Sequence, residues 1–260
     1  MQGMRKIGVI LLSGGLDSTT VAAYAIKEGY ELTAITFRYG QKHSREVESA
    51  RKVAEVMGIK WEVVDFSFFK KLAWYSALTS SGDFQVPKKR DSRDMTRDIP
   101  ITYVPLRNTF FITMAAAFLE SEVLNLIEMG RVNPADVEAS IFIAVNAVDY
   151  SGYPDCRPEY YEKMTRVLFE GSKLGAQYGR SINIQTPIIH MTKAEIVKLA
   201  CELNAPLEYT WSCYEGEDIP CDNCDSCILR ARGFAEAGFV DPLMARLEKD
   251  GKIAKSKRMP

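Results

Sequence analysis

Four of the chain's six cysteines fall in one short segment, SCYEGEDIPCDNCDSC, which runs from Ser212 to Cys227. Two close pairs of thiolates are typical ligands of a tetrahedral Zn²⁺, and a complete set of four leaves no position for water. Disulfides fit the reducing cytoplasm poorly. We therefore predict a structural zinc, with an iron–sulfur cluster on the same ligands as the main alternative. The predicted ligands are Cys213, Cys221, Cys224 and Cys227.

A glycine-rich segment, SGGLDST, stands between a predicted strand and a predicted helix. Gly14 and Gly15 would let the backbone approach a phosphate, and the helix N-terminus would offer free N–H groups. The segment matches neither the G-x-x-x-x-G-K-[ST] nor the G-x-G-x-x-G fingerprint. Asp17 would repel phosphate unless it binds a cation such as Mg²⁺ or caps the helix. We predict a phosphate-binding loop with hydroxyl donors Ser13, Ser18 and Thr19; a plain Gly-Gly turn is the alternative.

A second polar segment, VDYSGYPDCRPEYY, follows the predicted fourth strand. Its aromatic side chains could stack on a planar, guanine-like ring, and Asp149 or Asp155 could accept hydrogen bonds from the ring's N–H groups. Arg157 could hold a substrate carboxylate through two hydrogen bonds. The alternative is a proline-rich structural turn with surface charges.

Several isolated residues could also take part in chemistry. His43 follows the second predicted strand and could accept or relay a proton. Arg107 and Asn108 open a predicted helix near the strand ends and could contact a ligand there. Cys156 could be a nucleophile.

Strands and helices alternate along the chain, which predicts a doubly wound parallel α/β sheet. Thr192 and Glu195 form a predicted capping box. The helix over 108–122 is apolar on nearly all sides and should be buried, and the polar segment 76–99 should be a flap near the site. The segment 125–139 is ambiguous. The predicted strands are 6–12, 31–37, 60–66, 140–146 and 182–189, and the predicted helices are 19–28, 44–57, 108–122 and 192–203.

Composition sets the class of protein. The 260 residues are 47% apolar and 26% charged, with a net charge of −1, which is typical of a soluble globular protein. No signal-peptide pattern or membrane-length apolar run is evident, so we expect a cytoplasmic protein. The near-zero charge argues against broad nucleic-acid binding.

The loop SGGLDS resembles the PP-loop of the adenine-nucleotide α-hydrolase-like ATP pyrophosphatases, which cut ATP between its α and β phosphates. Together with YGQKHSRE (39–46), YVPLRN (103–108), VDYSGYPDCRPE, TK-AEI and the cysteine cluster, it resembles the 7-cyano-7-deazaguanine synthases of the queuosine pathway. The resemblance runs from about residue 6 to Leu243. It departs from the family at Leu106, where alanine is usual, and in a longer connection over 128–139.

This resemblance implies an ATP-dependent ligase that converts 7-carboxy-7-deazaguanine and ammonia to the nitrile through an adenylated carboxylate and an adenylated amide. It implies zinc at the four cysteines and ATP with Mg²⁺ as co-substrate. Catalytic residues would be Asp17, Ser18 and His43. The substrate would contact Asp149, Tyr150, Asp155 and Arg157. ATP would contact Leu11, Leu12, Ser13, Gly14, Gly15, Leu16, Asp17, Ser18, Thr19, Thr20, Val21, Arg107 and Asn108.

We expect a nucleotide-binding domain over 1–205, a zinc-binding segment over 206–260, and a homodimer with neither a membrane nor a nucleic-acid partner. Three other functions stay open. A PP-loop tRNA thiolase would need a catalytic cysteine pair and a basic appendage, and a zinc-ribbon binding module would not need the phosphate loop. An enzyme passing the activated carboxylate to another amine would keep every motif.

Overall fold

The structure is a computed structural model that describes residues 3–39, 45–77, 79, 99, 101, 103–148, 153–215 and 217–254. The strands in these residues are β1 (Arg5–Leu11), β2 (Glu31–Arg38), β3 (Lys60–Asp65), β4 (Val137–Phe142) and β5 (Ile182–Gln185). The helices are α1 (Leu16–Lys27), α2 (Arg45–Met57), α3 (Phe69–Leu72), α4 (Arg107–Glu128), α5 (Pro158–Gly171), α6 (Lys173–Tyr178), α7 (Lys193–Glu202), α8 (Asp225–Ala237) and α9 (Pro242–Lys249).

All five strands pair in parallel, in the order β3-β2-β1-β4-β5. The chain moves outward from β1 to β3 and then returns to the other side of β1 as β4. This reversal creates a crevice at the carboxyl ends of β1 and β4, where open α/β sheets bind their ligands. The predicted doubly wound parallel sheet is confirmed.

The sheet separates two apolar layers. On one side, Val9 and Ile141 pack with α4 residues such as Ile112 and Leu119. On the other side, strand residues including Ile10 pack with residues of α1, α2 and α7. Alternate residues of the central strands therefore face opposite layers, which explains why the strand sequences are almost continuously apolar.

Helix α4 differs from its prediction. Its buried residues form one stripe, and Phe110 is 40% exposed, so the helix is buried along one face rather than on nearly all sides. Among the described residues, it is the one helix with the length and composition to cross a membrane. It packs against β1 and β4, as a core helix does. The buried stripe comprises Asn108, Ile112, Ala115, Ala116, Leu119, Val123 and Ile127.

Several element boundaries also differ from prediction. Helix α1 begins at Leu16 rather than residue 19, because the glycine loop leads directly into it. Strand β4 ends at Phe142, although the Ile143 N–H still donates to the Gln185 carbonyl at 3.1 Å, and the apolar residues after Phe142 line a cavity. Strand β5 ends at Gln185. The ambiguous segment 125–139 contains the end of α4, a 3₁₀ turn at Pro134–Asp136 and the start of β4.

The C-terminal segment packs on the sheet domain. Helix α8 packs along α7, and the predicted capping box at the start of α7 is present, with the Thr192 amide donating to Glu195 Oε2 at 2.7 Å. Arg230 of α8 is buried and paired with Asp241 through two hydrogen bonds of 2.6 and 2.8 Å. Division of the chain at residue 205 stays a prediction.

Candidate active site

A cavity of about 360 Å³ opens at the carboxyl ends of β1, β2 and β4. Its walls come from the glycine loop, from the starts of α2 and α4, from the residues after β4, and from the C-terminal segment around Trp211. Segments far apart in sequence thus meet at one edge of the sheet, which is the position expected for a ligand site in this fold.

The glycine loop has the geometry of a phosphate cradle. Gly14 has φ +81°, and a Cβ there would lie 2.5 Å from both the Ala50 nitrogen and the Glu46 carbonyl oxygen, so only glycine fits. Gly15 is the N-cap of α1 and has no side-chain cap. The hydroxyls of Ser13 and Ser18 lie 3.0 Å apart. The open end of α1 therefore faces the cavity with hydroxyls and amides, which suits an anion.

Asp17, on the first turn of α1, is paired with a lysine from a distant part of the chain. Lys193 Nζ donates to its two carboxylate oxygens at 2.9 and 2.8 Å, and the two side chains are 25% (Asp17) and 11% (Lys193) exposed. Both residues line the cavity. Gly233 of α8 makes room for this arrangement, because a Cβ there would lie 2.3 Å from Lys193 Cγ. Asp17 is thus an ion-pair partner inside α1 rather than its N-cap.

Trp211 connects the glycine loop to the cysteine cluster. Its backbone N–H donates to the Gly14 carbonyl at 2.8 Å, and its indole N–H donates to the Cys213 carbonyl at 3.2 Å. The Arg45 guanidinium lies 5.8 Å from the indole centroid. The position of the loop backbone therefore depends on a residue two positions from a cysteine of the cluster.

Arg107 opens α4 and brings a cation to the cavity. The residue before it, Leu106, has φ +55°, and this left-handed turn starts the helix at the cavity wall. Nη1 of Arg107 donates to the Tyr39 hydroxyl at 3.5 Å. Its Nε is buried without a hydrogen-bond partner among the described residues. A buried, unpaired guanidinium nitrogen beside a cavity is suited to an anionic ligand.

Asp155 and Cys156 lie in a 3₁₀ turn that also lines the cavity, and both are buried. Burial raises the pKa of the Asp155 carboxyl, although Arg107 and the backbone N–H of Asn108 partly offset this by favouring the ionised form. Burial also raises the pKa of the Cys156 thiol to about 12. A thiol with so high a pKa is a poor nucleophile, so the geometry does not favour a thioester at Cys156.

Glu46 provides a second carboxyl group in the cavity, and its side chain is partly buried. Burial raises its pKa to about 7, and the nearby Arg107 guanidinium opposes this shift. Its carboxylate in turn raises the pKa of Tyr39, the aromatic neighbour of Arg107. A carboxyl group that titrates near neutral pH inside a cavity is a candidate acid or base.

This burial predicts a stability difference that depends on pH. Because the pKa of Glu46 is raised on folding, the stability associated with its protonated form is lost as pH rises through about 7. The free energy of unfolding of Glu46→Gln, relative to that of the wild type, should therefore increase by on the order of 2–3 kcal/mol as the pH is raised from 5 to 8.5. Urea unfolding at both pH values measures this, and a difference that is the same at both would contradict it.

The four cysteines of the C-terminal segment meet as predicted. Their Sγ atoms all lie within 4.8 Å of one another, and three of the four residues are buried. Hydrogen bonds from the thiols of Cys224 and Cys227 lower the pKa of Cys213 and raise their own. Tetrahedral Zn–S bonds of about 2.3 Å place sulfurs roughly 3.8 Å apart, so this donor set fits a zinc ion.

The sequence matches the family model described as "Queuosine biosynthesis protein QueC" over residues 7–238. The chain belongs to the QueC family. Among curated relatives, 7-cyano-7-deazaguanine synthase of Thermoplasma acidophilum is 47% identical over 92% of this chain and 92% of that protein. The synthase of the same name from Trichodesmium erythraeum is 44% identical over 91% of this chain and 99% of that protein.

Solved structures match more weakly. The NMN synthetase of Francisella tularensis aligns with 98% of this chain and 80% of that chain, at 15% identity and a TM-score of 0.37. A similarity this low informs neither the fold nor the function. The QueC assignment depends on the sequence relatives, which span nearly their whole lengths.

The predicted site residues of this QueC-family enzyme separate into three groups. Arg157 is exposed and lies outside the cavity lining, and Gly14, Thr19, Thr20 and Val21 support the loop without lining the cavity. His43, Asp149, Tyr150 and most of the predicted 76–99 flap lie outside the described residues. The cavity brings together Leu11, Leu12, Ser13, Gly15, Leu16, Asp17, Ser18, Arg107, Asn108, Asp155 and, from the cysteine cluster, Cys213.

Three cavity residues received no role from the sequence. Lys193 was part of the TK-AEI match, and its place just after the helix cap was the one available signal. Glu46 was part of YGQKHSRE, but its interaction with Arg107 depends on α4, which is distant in sequence. Trp211 precedes the cysteine segment and had no signal of its own.

Proposed function

We propose that this QueC-family enzyme uses ATP and ammonia to convert 7-carboxy-7-deazaguanine to 7-cyano-7-deazaguanine. The observation that carries the proposal is the near full-length similarity to curated synthases of this name. The cavity supports it, because a phosphate loop and a pocket with Arg107 and Asp155 open into the same space.

The chemistry consists of two activations by ATP. The substrate carboxylate attacks the α-phosphorus and displaces pyrophosphate, which turns its oxygen into a good leaving group. Ammonia then displaces AMP and forms the amide. In the second activation the amide oxygen attacks another ATP, and loss of AMP with the nitrogen's protons leaves the nitrile. The reaction needs phosphate positioning and proton acceptors, and no redox partner.

The phosphate groups would bind at the open end of α1. Backbone N–H groups of the loop and the hydroxyls of Ser13 and Ser18 would donate to them. Lys193 takes the role of the lysine that the loop lacks, because its flexible stem can turn from Asp17 to a phosphate oxygen. Asp17 would then be free to hold the Mg²⁺ that accompanies ATP, and this ion supplies charge neutralisation.

The deazaguanine ring would bind on the far side of Arg107. The rings of Tyr103 and Tyr153 lie 5.9 Å apart on that wall, next to Asp155. Tyrosine faces stack on a planar base, and a carboxylate accepts hydrogen bonds from its N–H and amino donors. Arg107 lines the same cavity and would lie between this wall and the loop, where it could hold the carboxylate that reacts.

The proposed hydrogen bond between Asp155 and the substrate ring can be tested by substitution. Asp155→Asn keeps an oxygen that can accept from the Asn108 backbone but loses the charge, so KM for the deazaguanine acid should rise about tenfold or more, as expected for a charged hydrogen bond worth 1.5–3 kcal/mol. Arg157→Lys is the matched comparison, and steady-state kinetics should show it unchanged. A rise in KM for Arg157→Lys alone would move recognition to that residue.

The four cysteines would hold one Zn²⁺ with a structural role, since complete thiolate ligation leaves no position for water. We further propose a cytoplasmic homodimer that acts on small molecules, without a nucleic-acid substrate.

Product analysis tests the adenylation. AMP and pyrophosphate should form only when the deazaguanine acid is present. ADP and phosphate as the sole direct products would contradict it.

A further inference from the structure

Glu46 is a cavity residue to which the mechanism above gives no task. It lies on the first turn of α2, at the carboxyl end of β2, and it lines the same cavity as the phosphate loop. Its carbonyl oxygen would lie 2.5 Å from a Cβ at Gly14, so its main chain rests directly against the loop. The side chain of Glu46 therefore starts beside the phosphate loop, where the proposed adenylation takes place.

The charged and polar groups around the Glu46 carboxyl allow it to exist in both the protonated and the ionised form. Arg107 approaches it from α4, Tyr39 from the end of β2, and Arg45 precedes it on its own helix. The Asp17–Lys193 pair and Asp155 line the same cavity. The cation of Arg107 favours the carboxylate, whereas burial favours the acid, and these opposing effects suit a group that gains and loses a proton during turnover.

We propose that Glu46 is the general base of the ammonia step, a role that rests on the proposed function. When ammonia attacks the acyl-adenylate, a C–N bond forms and the nitrogen becomes positively charged. The Glu46 carboxylate accepts one proton from this nitrogen. The C–O bond to AMP then breaks, AMP leaves with the electron pair, and the amide remains. Solvent takes the proton from Glu46 before the next turnover.

A second carboxyl group, that of Asp155, lies on the wall that is proposed to bind the ring. Ring recognition and proton transfer are therefore assigned to different residues. Asp155 lies beside Tyr103 and Tyr153 and is tied to the Asn108 backbone at the start of α4. The Asp155 carboxylate is therefore suited to accept a hydrogen bond from the substrate ring. Glu46 instead projects from the helix that abuts the phosphate loop.

The test separates adenylation from attack by ammonia. Acid-dependent exchange of labelled pyrophosphate into ATP, without ammonia, measures adenylation alone. Glu46→Gln should keep this exchange within about twofold of the wild type. Its kcat/KM for ammonia, calculated from the concentration of unprotonated NH₃, should fall on the order of 10²–10⁴-fold. This is the usual contribution of a general base. Glu46→Asp should recover part of the loss.

The pH profile provides an independent readout. Wild-type kcat/KM for free ammonia should rise as pH passes about 7, and this rise should be missing in Glu46→Gln. Glu48→Gln, an exposed change on the same helix, should behave as the wild type. Equal loss of exchange and overall rate in Glu46→Gln, or an ammonia rate within a few fold of wild type, would overturn the inference. Absence of exchange in the wild type would instead overturn the proposed function.

Discussion

Lys193→Met should lower kcat by on the order of 10²–10³-fold, the cost of removing one donor from a site that stabilises developing charge. In the structure its ammonium group is paired with Asp17 at the phosphate loop. In the proposed binding mode, ATP would bring negative charge to the open end of α1, where Lys193 is a cation close to the loop among the described residues. Methionine keeps the apolar stem that packs against Gly233, so the loss should fall on phosphate binding rather than on packing.

Two control variants test the role of Lys193. One breaks an unrelated ion pair, and the other changes Asp17, the partner of Lys193. Arg232→Met breaks an exposed pair with Glu236 on α8 and should leave kcat unchanged. Asp17→Asn should also lose turnover, because it removes the carboxylate that is proposed to hold Mg²⁺. Since the two residues are paired, the effects of Asp17→Asn and Lys193→Met on thermal stability should not add in the double variant. Normal kcat in Lys193→Met, measured at saturating ATP, would show that the lysine serves only the ion pair.

Cys224→Ala should remove the metal and much of the stability of the C-terminal segment. Zinc binding couples to folding by roughly 10–16 kcal/mol in small zinc peptides. The cysteines form a small buried cluster with Trp211, Leu243 and Leu247, so the melting temperature should fall and metal analysis should find less than one zinc per chain. Surviving folded protein should retain turnover with a raised KM for ATP, because Trp211 holds the Gly14 carbonyl.

Cys201→Ala is the matched control, since Cys201 lies on α7 outside the cluster. It should keep one zinc per chain and melt within a few degrees of the wild type. A Cys224→Ala protein that melted normally but had no activity would indicate a catalytic metal. Pure, active enzyme without zinc would contradict the structural role altogether.

Much of the fold could be predicted because its signals are local. Buried parallel strands are continuous apolar runs, and the capping box at Thr192 fixes the start of α7 within a few residues. The cysteine spacing likewise predicted that these four thiols lie close together, and the structure brings them within 4.8 Å of one another. The end of β4 could not be predicted, because the residues beyond Phe142 are as apolar as the strand and differ only in lining a cavity.

The site was less predictable than the fold, because its geometry depends on distant residues. Lys193 is 176 positions from Asp17, and no spacing rule connects them. The raised pKa of Glu46 arises from burial against elements that lie outside its own segment. Arg157 looked suitable by residue type, but the turn that buries Asp155 leaves Arg157 exposed.

Formation of the nitrile is the most direct test of this account. The purified protein would be incubated with ATP, Mg²⁺, 7-carboxy-7-deazaguanine and ¹⁵N-labelled ammonium, and the products would be resolved by mass spectrometry. The account predicts 7-cyano-7-deazaguanine carrying one ¹⁵N, with two AMP formed for each nitrile. An amide that accumulates without any nitrile, or an activated carboxylate that is passed only to some other amine, would contradict it.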